Sequence, residues 1–254
     1  MSPEDLAREV DISYSSSIKG WVFDNYGYSH QDRNLKPVEN KPIIVVLDPG
    51  ITFAVLFGQA DHYGRCLFLK ELVLENAQLK DVANEIIKIQ RDMFPGHAFR
   101  YIGDPAGAYK VASNQPMAEY TYLQLNHNIN VEWTFLSRIA PKNRVIYRIH
   151  GMKNKMGEFC GQLNTPCFMV NPETCPNLDR ALAGEYRRKV TPDGQVLEAI
   201  DEVHPFEDVV DGAGMLVISE FPMGFGDRDD DDFKKPRRPK VPWGRPGGNS
   251  KWGN

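Results

Sequence analysis

Apolar positions along the chain fall into a few strongly patterned segments. "IIVVLD" at 43–48 is an unbroken apolar run that closes on an acid, and a second run follows at about 52–59. After the turn "ADHYGR" comes a third, "CLFLKELVL" at 66–74. Runs of this length, rich in branched and aromatic residues and separated by short turns, predict three strands in an antiparallel meander. Leu79, Val82, Ile86, Ile89 and Met93 then recur at spacings of three and four, the stripe of an amphipathic helix that stops before Pro95-Gly96. "AFRYIGD" predicts a fourth strand. Because a helix intervenes, it should lie parallel to the first, and a right-handed crossover would bring the two C-terminal ends together. Both ends carry an aspartate.

Later segments are shorter. "INVEWTF" at 129–135 predicts a fifth strand, and "NRVIYRIHGMKNKMGEF" a basic amphipathic helix. "RRKVTPDGQVLEAI" reads as a hairpin around Pro-Asp-Gly, and a last helix is expected from about Phe206 to Glu220. The chain is therefore expected to be a mixed α/β domain over 41–221. Residues 1–40 precede it as a linker, opening with a helix start in which Ser2 is the N-cap and Pro3 the first helical position. From Asp24 to Pro42 no period persists, the pattern of a linker or an extended wrap. Residues 222–254, rich in Gly, Pro and charge, are expected to be a disordered tail.

Composition narrows the class. With 254 residues and 41% hydrophobic content, the chain can bury one sizeable core. No apolar run approaches the ~20 residues of a membrane span, and the first 20 residues lack the layout of a secretory signal, so an intracellular protein without membrane contact is expected. Cys66, Cys160, Cys167 and Cys175 show no CxxC or HxxxH pairing, which argues against zinc. The net charge of −4 averages an acidic "DRDDDD" at 227–232 with a wholly basic stretch after it, and so does not exclude DNA.

Asp48, Asp104, Asp208 and Asp211 stand at the edges of the predicted elements, and the last two, three apart, share a helix face. Val209, Val210, Leu216 and Val217 would turn that helix toward the sheet, and Gly212, Ala213 and Gly214 would let it approach closely. Alone, each aspartate is an ordinary turn former or cap. Together they would repel one another unless a cation neutralised them. Oxygen-only ligation points to Mg2+ or Mn2+, and two such ions could clamp the attacking and leaving oxygens of a phosphodiester. For phosphate contact the candidates are Arg138, Lys142, Arg144, Arg148, Lys153 and Lys155 on or before the basic helix, with Arg187, Arg188 and Lys189 opening the hairpin; a solvated helix face explains the first set equally well. His204, beside Pro205, reads as structural.

Strand-strand-strand-helix-strand with acids on strand one, strand four and a final helix resembles the ribonuclease H-like nucleases. Within them, "VVLDPG", "YIGDPAG" and "HPFEDVVDGAGMLV" are similar to the nuclease domain of tailed-phage large terminases, and "SPEDLAREVDISYSSSIKGWVF" to the stretch that joins the packaging ATPase to that domain. The resemblance covers roughly residues 2–220. It implies an α/β ribonuclease H-like mixed sheet, three antiparallel strands then parallel ones, flanked by helices. The activity implied is metal-dependent cutting of double-stranded DNA concatemers during genome packaging, in the host cytoplasm. Implied partners are a packaging ATPase domain of the same protein, a portal protein and a small terminase subunit. Asp48 and Asp104 map onto the first two metal ligands; for the third, Asp208 is the first choice and Asp211 the second, since Glu207-Asp208 stands for the family's frequent His-Asp pair and Gly212 for its usual Ala. No GxxxxGK[ST] occurs, so the motor's phosphate loop is absent and an excised C-terminal portion or a natural short gene is expected. Alternatives are another ribonuclease H-like nuclease such as a Holliday-junction resolvase, an actin-like ATPase, and a nonenzymatic DNA-binding module.

Overall fold

The computed structural model describes residues 20–109, 117–133 and 145–222. The expected N-terminal helix, the tail past Pro222 and the candidate cations Arg138, Lys142 and Arg144 lie outside the described residues.

β1 (Ile43–Asp48), β2 (Thr52–Ala60) and β3 (Cys66–Glu75) form the expected antiparallel meander. α1 (Leu79–Met93) buries Leu79, Val82, Ala83, Ile86 and Ile89 and carries the chain across to β4 (Phe99–Gly103). β4 runs parallel to β1, with Ile43 opposite Phe99 and Leu47 opposite Gly103. α2 (Ala106–Tyr109) and α3 (Glu119–His127) follow, then β5 (Val131–Glu132), parallel to β4. Of the strand expected over 129–135, the described residues pair at Val131 with Tyr101 and at Glu132 with Ile102, and residues 134–135 lie outside them. Asn128, in the left-handed conformation just past α3, turns the chain into it. α4 (Val145–Gly157) leads through a short β6 (Phe159–Cys160) and β7 (Thr165–Pro166) pair to β8 (Phe168–Val170), which adds to β3 in parallel. The sheet order is β5-β4-β1-β2-β3-β8. α5 (Pro176–Arg180), the hairpin of β9 (Arg188–Val190) and β10 (Val196–Ile200), and α6 (Phe206–Glu220) complete the described chain.

Both faces of the sheet are covered, and β1 shows why its sequence reads as an uninterrupted apolar run. Ile44 and Val46 enter a core with Leu56, Met152 of α4, Leu178 of α5, and Val209, Val210 and Ala213 of α6. Ile43, Val45 and Leu47 enter the opposite core, with Val82 and Ile86 of α1 and Leu123 of α3. A strand buried on both sides has no polar alternation to show. Side chains alternate along a strand, so Asp48, next in the series 44, 46, 48, belongs to the α6 face.

α6 is buried along nearly its whole length, from Phe206 to Ile218. A β-carbon on Gly212 would lie 3.2 Å from Leu56 Cδ1, so this glycine sets the helix close on the sheet. Gly214 faces α4 instead, where a β-carbon would come 2.6 Å from Arg148 Cβ. The close packing expected of the Gly-Ala-Gly run is thus toward two different neighbours.

Packing begins before Lys41. Val22 and Phe23 are buried in the core shared with α4, α5 and α6, and Trp21 makes a β-bridge to Arg187. Tyr26 Oη donates to Asp179 Oδ1 at 2.6 Å, and Gln31 bridges to Val170 at the sheet's edge. Residues 20–40 are therefore part of the domain, which moves its start upstream of the boundary at 41. Buried Val22, Phe23 and His30 and a few hydrogen bonds, rather than a period, tie this segment down, and a hydrophobicity pattern cannot reveal that.

Candidate metal centre

The carboxylates converge where β1 and β4 end. Leu47 and Gly103 are register partners, so Asp48 and Asp104 are the next residues on two adjacent parallel strands. Asp104 N–H donates to Leu47 O at 3.2 Å, which holds the two ends together. After each acid a proline turns the chain away, and the turns themselves touch: a β-carbon on Gly107 would lie 2.8 Å from Pro49 Cγ. Tyr120 of α3, buried beneath them, donates its hydroxyl to Asp104 O at 2.9 Å. Gly103 leaves the room that ring needs. Asp104 also caps α2, its Oδ1 accepting from Ala106 N–H at 2.8 Å. The turn-forming role open to any Asp-Pro is thus filled by the same residue that faces the other acids.

α6 brings the remaining two. Burial drives the Asp48 carboxyl up to about 8, and the next largest influence is the charge of Asp211; Arg148 opposes the rise, and Asp104 and Asp208 add to it. Asp211 is likewise raised by burial first, opposed by Arg148, then raised by Asp104 and Asp208. All four predicted acids therefore sit in one electrostatic neighbourhood, with Asp211 the strongest acidic influence on Asp48. Burial first, and then like charges held in a partly dry cleft, favour the protonated form, which is what both shifts express.

Asp208 is turned elsewhere. Its Oδ2 lies 2.8 Å from His204 Nδ1, and Glu207 Oε1 lies 3.3 Å from the same nitrogen. His204, Glu207 and Asp208 place one ligating atom each within 4.8 Å of one another. The hydrogen bond to Asp208 raises the His204 ring above its ordinary range. His204 is thus a polar member of the cluster's rim rather than a purely structural residue, and Glu207 joins it unforeseen. The signal was present: in "HPFED" the histidine stands three and four residues before the acids, the spacing of neighbours on a helix face.

The predicted cations separate into two groups. Arg148 is buried, and its Nη2 lies 3.3 Å from Asp211 Oδ2. Lys155 is also buried; its Nζ donates to Gly64 O and to Glu158 Oε2 and stands 3.9 Å over the Phe221 ring. Neither faces solvent, which corrects their assignment as phosphate contacts: amphipathic patterning counted both as polar-face residues, whereas their long apolar stems pack inward. Lys153 pairs with Asp24 at 2.7 Å but stays partly exposed, and Arg187, Arg188 and Lys189 stand on or beside the exposed hairpin, Arg187 within 3.8 Å of Asp201. Of the predicted cations among the described residues, Lys153, Arg187, Arg188 and Lys189 keep some exposure to solvent.

A mixed sheet with antiparallel β1, β2 and β3, parallel outer strands, helices on both faces and acids at the ends of β1 and β4 defines a ribonuclease H-like domain. Among solved structures, the large terminase of a thermophilic bacteriophage aligns with a TM-score of 0.57 at 15% identity over 86% of this chain and 52% of that one. The nuclease domain of the P22 large terminase aligns with a TM-score of 0.54 at 11% identity, over 81% of this chain and 95% of that domain. The chain thus spans about half the length of the thermophilic phage protein and nearly all of the P22 domain. No family model and no curated protein sequence matches the chain. The fold is that of phage large-terminase nuclease domains.

Proposed function

We propose that this domain is a metal-dependent endonuclease that cuts double-stranded DNA concatemers during viral genome packaging. The observation that carries the reading is the placing of Asp48 and Asp104 on adjacent parallel strand ends, with Asp211 of α6 the strongest acidic influence on Asp48. Carboxylates that feel one another in a partly dry cleft offer oxygen donors alone, which would suit Mg2+ or Mn2+ rather than zinc, although the tightest group of possible ligands among the described residues is His204, Glu207 and Asp208 beside them. Asp48, Asp104 and Asp211 would hold the ions, and Asp208, engaged with His204, would assist from the rim. The sequence favours Asp208 over Asp211; Asp211 is put first in this proposal because it is the stronger acidic influence on Asp48, while Asp208 is hydrogen-bonded to His204.

Two divalent ions, when bound, supply an activated water and charge stabilisation for the leaving oxygen of the phosphodiester. The chain's own contribution is positioning. β1 and β4 are rigid posts for Asp48 and Asp104, Tyr120 braces the Asp104 turn, and Gly212 seats α6 near enough to Leu56 for Asp211 to reach the strand ends. Arg187, Arg188 and Lys189 would hold the duplex by its backbone, with Arg144 and Lys153 as further candidates. A packaging ATPase domain of the same full-length protein, consistent with the longer terminase chain that aligns, completes the proposal, together with a portal protein, a small terminase subunit and action in the host cytoplasm during assembly, which rest on the sequence resemblance.

A plasmid-nicking assay with Mg2+ or Mn2+ tests it. The wild-type chain should cut supercoiled DNA; Asp48→Asn, Asp104→Asn and Asp211→Asn should each abolish cutting, and Asp208→Asn should weaken it. An intact plasmid at every metal concentration, combined with ATP hydrolysis, would make the domain an actin-like ATPase instead. Tight DNA binding without either reaction would make it a binding module.

A further inference from the structure

Arg148 stands out among the buried side chains. The residue is 7% exposed, yet its one ion pair among the described residues, to Asp211 Oδ2, is long at 3.3 Å, and its Nε is buried with no hydrogen-bond partner among them. A largely buried guanidinium with an unpartnered Nε is not stabilised by that pair alone. Its position is nonetheless built into the fold. Gly214 of α6 faces the Arg148 stem, and the Cβ of any other residue there would lie 2.6 Å from Arg148 Cβ. α4 and α6 are packed so that one cation enters the carboxylate cluster from beneath.

We propose that Arg148 is a resident counter-cation of the carboxylate cluster, a positioning residue that holds Asp211 in the metal-free domain and competes with divalent metal for the cluster's negative charge. The proposal rests on the reading of Asp48, Asp104 and Asp211 as metal ligands. Its physical basis is simple. A fixed positive charge in contact with one ligand carboxylate lowers the electrostatic attraction available to an incoming cation, and does so most in a partly dry site. Metal loading then becomes weak on the free domain and improves when phosphates add negative charge, so cutting is tied to the presence of DNA.

The test is Mn2+ binding by titration calorimetry, without DNA, to the wild type, Arg148→Gln, Arg148→Met and Arg148→Lys. Arg148→Gln retains an N–H donor for Asp211 but drops the charge, so it separates charge from hydrogen bonding. Both neutral variants should bind Mn2+ about tenfold more tightly or better, and Arg148→Lys should stay close to the wild type. Mn2+ should also raise the melting temperature of the neutral variants by more than it raises that of the wild type, a readout that holds even if a neutral variant is unstable without metal. Equal or weaker Mn2+ binding by both neutral variants would overturn the proposal while leaving the metal site standing. Absence of Mn2+ binding to every protein, wild type included, would instead remove the metal reading itself and this inference with it.

Discussion

Replacing Asp48 by asparagine should stabilise the metal-free domain while destroying its activity. An aspartate in an unfolded chain ionises at about 3.9, whereas burial and the charge of Asp211 push Asp48 up to about 8 in the folded protein. Between those values the native state keeps a proton that the unfolded state has lost. Stability therefore falls as pH rises through this window, by up to about 1.4 kcal/mol per pH unit. The penalty is shared with the other acids of the cluster, which gives on the order of 3–5 kcal/mol against the fold at about pH 8. Asparagine cannot ionise and escapes it. Denaturant unfolding of the wild type and Asp48→Asn in chelator should therefore show the variant more stable at about pH 8, by on the order of 3–5 kcal/mol, with the advantage shrinking to about 1–2 kcal/mol near pH 5. In a scanning experiment the same difference is about 10 °C in Tm for a domain of this size. Mn2+ should raise the wild-type Tm and leave that of Asp48→Asn unchanged, and the variant should not nick plasmid. If Asp48→Asn is destabilised equally at both pH values, the carboxylate is not under electrostatic stress and the account of the site is wrong.

Gly214→Ala should destabilise by about 1–3 kcal/mol, since the new methyl meets the Arg148 stem, and the ~1 kcal/mol of helix propensity it gains does not offset the overlap; a stabilised variant in thermal unfolding would show that α4 and α6 are not in contact there. Glu71 accepts from the backbone N–H groups of Asn177 and Leu178 at 2.7 and 2.9 Å, capping α5, so Glu71→Ala should cost about 1–3 kcal/mol in denaturant unfolding by leaving those donors unpaired. Changing Arg187, Arg188 and Lys189 together to alanine should weaken binding to DNA of any sequence and reduce the slope of log affinity against log salt by up to about 2.7, whereas Lys155→Met, acting on an internally bonded lysine, should lower Tm and leave that slope alone. An unchanged slope in the triple variant would take the hairpin out of the DNA interface.

The elements that the sequence announced are those whose burial is strongest and most regular. β1 through β4 and α6 follow the expected bounds to within a residue or two because each is paired or packed along its length, and the helix between β3 and β4 correctly implied a parallel return to β1. What stayed hidden depends on single side chains. Phe23 ties residues 20–40 to the core without any period, and Phe168 leads a three-residue β8 too short to rise above a loop. Arg148 and Lys155 carry charges that a pattern of polar and apolar residues assigns to the surface, and their burial follows from features far away in sequence: Gly214, 66 residues on, and the Gly64 carbonyl, 91 residues back.

The same distinction underlies the proposed order of ligands. Asp208 and Asp211 are equivalent on a helical wheel, and their separation is decided by what surrounds them. His204, at the entrance of α6, takes the first; Arg148, from α4 beneath, takes the second. Each acid of the α6 pair thus has its own nitrogen partner, His204 at the rim and Arg148 buried, while Asp48 between the sheet and the helix is driven up to about 8 by burial first and by the charge of Asp211 next. The fold tolerates the cluster without metal by keeping a proton on its most crowded carboxylate and a fixed charge beside its neighbour. The proposed divalent ions would have to displace both, so that the packing of α6 against β1 and α4, rather than any one aspartate, would set the metal requirement.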